Sequence, residues 1–241
     1  MKRVKRIIGL LALAVILIGP SLVFASGKTG VYVAPKFAYG YLMGYDLEDY
    51  RWAYSYGDLV GGERNSDRAG RGDHIFGGAL AVGYDFSKRL NVPVRGELEY
   101  AIFSDAKTKE GNVDWGRRLD IGIQTIFANV YYDFRNTSAF TPYFGLGLGM
   151  ALVKAKGEYP GDFSLGSKTT TNFAWNIGAG VAYAFTDMIS LDLAYRFVSP
   201  GKGKTKKDIS YVYDPDFHDR NQWKTSELYI HQFMLGVRFT F

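Results

Sequence analysis

The carboxyl-terminal stretch Leu228–Phe241 constrains the fold more than any other part of the sequence. Every second residue counted back from Phe241 is aromatic or apolar down to Phe233, whereas the intervening positions, apart from Met234, are polar or small and include Arg238. Because successive side chains of a β-strand point to opposite faces, this period of two predicts a strand with one apolar and one polar face. The apolar face would pack inward in a soluble sandwich, but it would face lipid in an outer-membrane barrel.

The amino terminus predicts export from the cytoplasm. A basic segment at residues 2–6 precedes an apolar run from Ile7 to about Phe24, and Ala25 and Gly27 follow it. This order of segments is typical of a secretory signal peptide. We therefore expect a signal peptide over residues 1–25 and a mature domain over residues 26–241. The alternative is an uncleaved anchor helix, since the run is just long enough to span a bilayer.

Composition excludes several classes of function. The sequence has 29 Lys and Arg against 24 Asp and Glu, and four of the basic residues belong to the leader, so the mature chain is close to neutral and we expect no nucleic-acid partner. There is no cysteine, and therefore no disulfide framework or thiolate metal site. Beyond the leader, no apolar run reaches the length of a membrane helix, so membrane crossing is expected to use β-strands.

The rest of the sequence divides into eight alternating segments joined by long and short connections in strict turn. The predicted strands are Val31–Leu42, His74–Phe86, Val92–Ser104, Leu119–Phe134, Thr141–Lys154, Thr171–Phe185, Ile189–Ser199 and Leu228–Phe241. A soluble sandwich has no reason to gather its long loops at one end, whereas outer-membrane barrels do. The sequence thus predicts an all-β, eight-stranded antiparallel up-and-down transmembrane β-barrel. The alternation changes phase near Gln124–Phe127, which we interpret as a bulge or a misplaced strand boundary.

Aromatic pairs recur where the even-numbered strands end before a short turn. The pairs are Tyr84 with Phe86, Tyr132 with Phe134, and Tyr183 with Phe185. Aromatic side chains at one height around a barrel form a girdle at the membrane interface. We predict that these six residues form the periplasmic girdle.

Charged residues with inward parity predict a filled interior. They are Lys36, Arg95, Arg196 and Arg238 against Asp85, Glu97, Glu99, Asp133 and Asp192. An eight-stranded barrel is just wide enough for side chains to fill, and an unpaired buried charge is costly. We expect these residues to form a network of ion pairs in a plugged lumen, with small residues on other strands leaving room for their long side chains.

The Tyr-Asp-Phe strand ends, the Phe239-Thr240-Phe241 terminus and the alternating glycines of Gly145–Gly149 resemble the opacity-protein and OmpA/OmpX-like small barrels of Gram-negative bacteria. The resemblance covers essentially the whole mature chain and implies a location in the outer membrane, in contact with its lipid and lipopolysaccharide. It also implies that Phe239 and Phe241 belong to the signal read by the barrel-assembly machinery. No peptidoglycan-binding domain is expected after Phe241.

Some small barrels are enzymes, and three arrangements of residues are typical of them. The His-x-Ser pair of lipid A deacylases is absent, because His74 and His231 are followed by other residues. His74, Ser104 and Asp105 could meet as in lipid A palmitoyltransferases, but His74 has outward parity. Asp214-x-Asp216-x-His218 is similar to omptin protease groups, yet it lies in one polar stretch. We predict no catalytic, metal or cofactor site.

The polar stretches centred near residues 58, 111, 163 and 213 are expected to be external loops. Polar loops on a rigid scaffold suit recognition, so the leading hypothesis is a non-enzymatic surface protein whose loops serve adhesion or envelope interaction with an external ligand that the sequence does not identify. Lys202, Lys204, Lys206 and Lys207 form a basic run that could contact lipopolysaccharide phosphates. The first alternative is a narrow passive pore, and the second is a lipid A-modifying barrel enzyme.

Overall fold

A computed structural model describes residues 29–43, 45–55, 58–69, 72–110, 117–158, 164–211 and 217–241. The predicted signal peptide therefore lies outside the described residues. The elements are β1 (Val31–Leu42), β2 (Tyr45–Ser55), β3 (Asp58–Ala69), β4 (Asp73–Asp85), α1 (Ser87–Leu90), β5 (Val94–Phe103), β6 (Ala106–Glu110), β7 (Arg117–Asp133), β8 (Phe140–Glu158), β9 (Ser164–Ala184), β10 (Ile189–Gly201), β11 (Asp208–Tyr211), β12 (Phe217–Thr225) and β13 (Leu228–Thr240).

Eight of these strands close into an antiparallel barrel, as the alternation predicts. Their order is β5-β4-β1-β13-β10-β9-β8-β7, and β5 pairs back with β7. The first and last barrel strands meet where β1 pairs with β13, and the Phe241 carbonyl oxygen accepts hydrogen bonds from the amides of Thr29 and Gly30 at 2.7 and 3.0 Å. Closure satisfies the backbone groups that an open sheet would leave exposed at its edges.

The short connections gather at one end, which is the periplasmic end in an outer-membrane barrel. The first contains α1, whose carboxyl terminus is closed by Asn91 in the left-handed conformation at φ 55°. The other two connections cover residues 134–139 and 185–188. Among the described residues, no helix is long and apolar enough to cross a membrane.

The outward face carries a belt of exposed aliphatic side chains around the barrel. Leu98 of β5 is 62% exposed, and Val130, Leu146, Leu148, Leu193 and Leu235 are each about half exposed on the other strands. Large apolar side chains in this number do not face water on a soluble domain, but they match the lipid-facing band of a membrane barrel.

The external end corrects the prediction of four polar loops. Much of those stretches is β-structure: β11, β12, β2 and β3 form a four-stranded sheet in that order, and β12 pairs with β2 from Phe217 opposite Ser55 to Thr225 opposite Leu47. This external sheet continues the four barrel strands β10, β13, β1 and β4. On the other side of the barrel, β6 to β9 also extend beyond the membrane belt.

The predicted bulge near Gln124–Phe127 is wrong. Strand β7 pairs without a register shift with β5, from Tyr132 opposite Val94 to Gln124 opposite Ile102, and equally regularly with β8. What changes along β7 is polarity. Its inward residues at the external end are apolar and its outward residues there are polar, because the strand has left the membrane. Register shifts occur instead in β10 between Val198 and Gly201 and between Ala155 and Gly157 of β8.

Candidate functional site: a filled interior beneath an external sheet

The centre of the barrel interior is organised around the carboxylate of Glu99, which is fully buried on β5. Lys36 Nζ lies 2.7 Å from Glu99 Oε2, and Arg196 Nη2 lies 2.8 Å from Glu99 Oε1. Arg196 also donates to Gln232 Oε1 from Nη2 at 3.0 Å and from Nε at 3.2 Å. Strands β1, β5, β10 and β13 are thus joined through one set of charged side chains.

The second buried carboxylate, Glu97, lies two residues towards the periplasmic end. It pairs with Lys36 at 2.5 Å and accepts hydrogen bonds from the hydroxyl groups of Tyr131 at 3.1 Å and Tyr32 at 3.2 Å. Asn129 Nδ2 donates to the same carboxylate at 3.4 Å. The sequence prediction did not assign these three neutral partners, although their inward parity on β1 and β7 is visible in the sequence.

Two further ion pairs lie in the periplasmic half of the interior. Arg95 Nε donates to both carboxylate oxygens of Asp133, at 3.0 and 2.8 Å, and its guanidinium lies over the Tyr131 and Tyr143 rings at 4.9 and 4.8 Å from the centroids. The Arg238 guanidinium lies over the ring of Tyr32, 5.6 Å from its centroid. Arg238 Nε lies 3.6 Å from Asp192 Oδ2.

Asp85 is the predicted network residue that the structure places elsewhere. Its carboxylate accepts hydrogen bonds from the amide and hydroxyl of Ser87 at 3.0 and 2.6 Å, and from Arg135 Nη2 at 3.2 and 3.3 Å. Arg135 also donates to Ser87 Oγ. Asp85 therefore ties the first periplasmic turn to the second, because it is the last residue of β4. The other eight predicted residues all make ion pairs inside the barrel.

Small inward residues make the network sterically possible. Gly236 of β13 pairs with Lys36 of β1, and a Cβ at Gly236 would lie 2.9 Å from Lys36 Cγ. The ring of Tyr131 likewise lies against Gly145 on the neighbouring strand. A larger residue at either glycine would displace the side chain that holds Glu97.

Above the charged layer, the interior becomes an ordinary hydrophobic core, which the sequence analysis did not predict. Its members are all buried and come from every barrel strand and from β12. They include Leu42, Ile75, Phe103, Leu119, Ile121, Ile123, Phe127, Val153, Val198, Trp223, Leu228 and Ile230. The lumen is thus filled twice, by ion pairs at membrane level and by apolar side chains at the external end.

Little empty space remains in the middle of the charged layer, where a cavity of about 30 Å³ lies between Lys36, Arg95, Glu97, Asp192 and Arg196. A second cavity of about 250 Å³ lies at the periplasmic mouth of the barrel, where its lining includes Tyr32, Asp133 and Arg238. The inner cavity has room for only about two water molecules, whereas a conducting path needs a continuous column of water. The geometry therefore describes a plugged barrel.

Aromatic side chains lie at both ends of the lipid-facing belt, and the role of the six periplasmic ones as an interface girdle stays a prediction. At the periplasmic end, each predicted pair is in ring contact: the centroids of Tyr84 and Phe86 are 5.0 Å apart, those of Tyr132 and Phe134 are 5.1 Å apart, and those of Tyr183 and Phe185 are 4.8 Å apart. The external girdle was not predicted. It contains two Tyr–His hydrogen bonds, Tyr39 Oη to His74 Nδ1 at 2.6 Å and Tyr195 Oη to His231 Nδ1 at 2.7 Å.

The external girdle gives the two histidines structural partners. His74 is exposed on the outward face and contacts the rings of Tyr39 and Tyr41, while Ser104 Oγ accepts a hydrogen bond from the amide of Phe76 at 3.1 Å. The omptin-like residues Asp214 and Asp216 lie outside the described residues. Among those that are described, no group of His, Asp and Glu side chains could hold a metal ion.

An eight-stranded barrel with a lipid-facing belt, aromatic side chains at both ends of the belt and a charged interior is a transmembrane barrel of the bacterial outer membrane. The chain belongs to the outer membrane protein beta-barrel domain family, whose model matches residues 10–241. Phe239 lies on β13, the last strand of the barrel, and Phe241 directly follows that strand. Their role as an assembly signal stays a prediction.

Two relatives and one solved structure are similar to the chain. The outer membrane protein PagN of Salmonella typhimurium strain LT2 is 32% identical over 229 residues, which cover 90% of this chain and 92% of PagN. A putative adhesin of Rickettsia canadensis strain McKiel is 31% identical over 141 residues, covering 54% of this chain and 61% of that protein. The crystal structure of Neisserial surface protein A superposes with a TM-score of 0.50 at 21% identity, over 90% of this chain and 100% of that one, a similarity of fold.

Proposed function

We propose that this outer-membrane barrel is a non-enzymatic surface protein that mediates adhesion through its external sheet, formed by β11, β12, β2 and β3. The observation that carries the proposal is the combination of a doubly filled interior with ordered β-structure beyond the membrane. A filled barrel supplies rigidity rather than passage, and binding residues are commonly mounted on such rigid scaffolds.

The external sheet is suited to recognition for a physical reason. The external sheet is separate from the barrel sheet, but β2 and β12 follow β1 and precede β13 directly, and two backbone hydrogen bonds of 2.9 Å, Met43 to Tyr229 and Ser226 to Asp46, lie where they meet, so the barrel positions them. A pre-positioned surface loses less conformational freedom on binding than a flexible loop does. The sequence similarity to putative Rickettsia adhesins supports the same class of function.

A catalytic role has less support. Both histidine side chains of the external girdle are engaged by tyrosine hydroxyls, and their ring neighbours are aromatic rather than carboxylate. A general base needs a nucleophile or a water within hydrogen-bonding reach and a group that orients it. We therefore propose that neither histidine is a catalytic base.

The experiment is a cell-adhesion assay with bacteria that do not adhere by themselves. One strain displays the full chain, and a second displays a variant in which residues 45–69 are replaced by a short Gly-Ser link, which removes β2 and β3. We expect the full chain to confer adhesion to epithelial cell layers and the variant to lose it. Heat-dependent migration on gels and surface labelling control for barrel folding. Equal adhesion by both strains, or none by the first, would overturn the proposal.

A further inference from the structure

We propose that a cavity at the external membrane surface, between β9 and the segment that links β10 to β11, binds the phosphorylated saccharide head of an outer-leaflet glycolipid. The cavity has a volume of about 740 Å³. It is lined on one side by residues 170–173 of β9 and on the other by residues 201–204 and 224–227. We call it the lateral cavity.

The height of the lateral cavity follows from the outward face of the neighbouring strand. Along β8 that face runs from the exposed Leu148 and Met150 through Leu152 to the exposed Lys154, so the membrane surface lies near Leu152. Met150 pairs with Phe173 of β9, and Phe173 is 69% exposed and lines the cavity. Phe173 therefore places one side of the lateral cavity at the boundary between the lipid acyl chains and the headgroups.

Cations without a partner collect around this cavity. In the part of the chain that the structure describes, five lysines on three adjacent segments have no ion-pair partner, whereas the interior cations are all paired. The five are Lys154, Lys168, Lys202, Lys204 and Lys206. Their segments are held together by strand pairing, with Ala155 opposite Lys168, and by a 2.9 Å hydrogen bond from the Lys206 amide to the Gly166 carbonyl.

The backbone beside the lateral cavity fixes the segment that carries Lys202 and Lys204. Lys204 lies directly opposite Lys224 in an isolated antiparallel bridge. Asn172 Nδ2 holds the linking segment by donating to the carbonyls of Pro200 at 3.1 Å and Lys202 at 2.9 Å. Gly201, between them, has φ +81°, a conformation that favours glycine.

The lining matches a saccharide as well as a phosphate. Thr170, Thr171, Thr225 and Ser226 supply hydroxyl groups to the lateral cavity, and Glu48 and Glu227 supply carboxylates. Glu227 already accepts a hydrogen bond from Ser199 Oγ at 3.0 Å. Sugar hydroxyls need acceptors as well as donors, whereas phosphates need cations. A phosphorylated sugar with acyl chains, the chemistry of lipopolysaccharide, satisfies the lysines, the hydroxyl groups and the exposed Phe173 together.

The test measures lipid binding by the refolded mature protein with native mass spectrometry in detergent. The probes are bisphosphorylated lipid A, the same lipid with both phosphates removed, and inorganic pyrophosphate. The variant is Lys202→Gln with Lys204→Gln, and the matched control is Arg89→Gln with Lys107→Gln, which removes the same charge from exposed positions elsewhere. Heat-dependent gel migration establishes that all three proteins are folded.

We expect the unaltered protein and the control variant to bind bisphosphorylated lipid A at least about tenfold more tightly than the dephosphorylated lipid, because charge-assisted contacts to phosphate are strong. The lysine variant should lose that preference. Equal binding of both lipids, or an unchanged preference in the lysine variant, would overturn the proposal. Displacement of the lipid by pyrophosphate at equal concentration would assign the cavity to free phosphates instead. The readout involves no cells, so its result is independent of adhesion.

Discussion

Arg196 and Glu99 form an ion pair of 2.8 Å that spans the whole diameter of the barrel. Arg196 belongs to β10 and Glu99 to β5, and in the closed order of strands each is four places from the other in both directions. Both side chains are almost completely buried, at 4% and 1% exposure. One pair of charges therefore joins opposite walls of the barrel, with Lys36 bound to the same carboxylate.

Removing one member of this pair should destabilise the barrel strongly. Arg196→Met leaves Glu99 with a single cation, and breaking a buried pair in this way costs about 3 kcal/mol. Urea unfolding in lipid vesicles measures the loss. The double variant Glu99→Gln with Arg196→Met removes both charges and should regain more than half of it. A loss below about 0.5 kcal/mol for the single variant, the range of ordinary surface changes, would contradict the assignment.

The hydrophobic layer above the charges can be tested with two isoleucines of one strand. Ile123 faces the interior and is 2% exposed, whereas Ile126 faces outward and is 39% exposed. Ile123→Ala should reduce the free energy of unfolding by about 1 to 2 kcal/mol more than Ile126→Ala, because the interior keeps a cavity while lipid chains close the gap outside. Equal losses would mean that the interior of the barrel at its external end is not a packed core.

The linking segment beside the lateral cavity should open when Asn172 is replaced. Asn172→Ala removes the donor to the carbonyls of Pro200 and Lys202, so trypsin should cleave after Lys202 and Lys204 several times faster than in the unaltered protein. The control is Asn136→Ala, which removes a hydrogen bond to the Phe140 carbonyl at the periplasmic end. Equal cleavage rates in the unaltered and Asn172→Ala proteins would show that the side chain does not hold the segment.

The non-enzymatic assignment predicts that lipid A stays chemically unchanged. Mass spectra of lipid A from cells that display the full chain should match those from cells without it, and His74→Ala should make no difference. Loss or gain of one acyl chain in cells with the unaltered protein, abolished by His74→Ala, would assign His74 to a catalytic site and contradict the proposal.

The barrel itself could be predicted because the membrane imposes one rule on all eight strands. Apolar residues face out and polar or small residues face in, so Glu97, Glu99 and Arg196 are recognisable as interior residues from parity alone. Which of these charged side chains pair with each other is harder to predict from the sequence, since it depends on how far each side chain reaches across the lumen. Asp85 illustrates this, because it bonds to Arg135 in the next periplasmic turn rather than to an interior cation.

The structure of the external end could not be predicted because the polarity of the two strand faces reverses there, with apolar residues inside and polar residues outside. Leu119, Ile121 and Ile123 point inward on β7, while Asp120 and Gln124 point outward, so a regular strand gives the impression of a change in phase. Strands β2, β3 and β12 lie in stretches rich in charged and polar residues, and this composition predicts loops. Their strand structure depends on the pairing that the barrel strands below them begin.

The most direct test of the central claim, a barrel filled by two layers that carries an external sheet, is single-channel conductance of the refolded mature protein in a planar bilayer. The Arg95→Ala, Arg196→Ala variant is measured beside it. We predict that neither protein gives discrete openings, because the hydrophobic layer with Ile121, Ile123 and Trp223 remains when the ion pairs are removed. Discrete openings from the unaltered protein would contradict the account and make the interior residues the functional site of a pore.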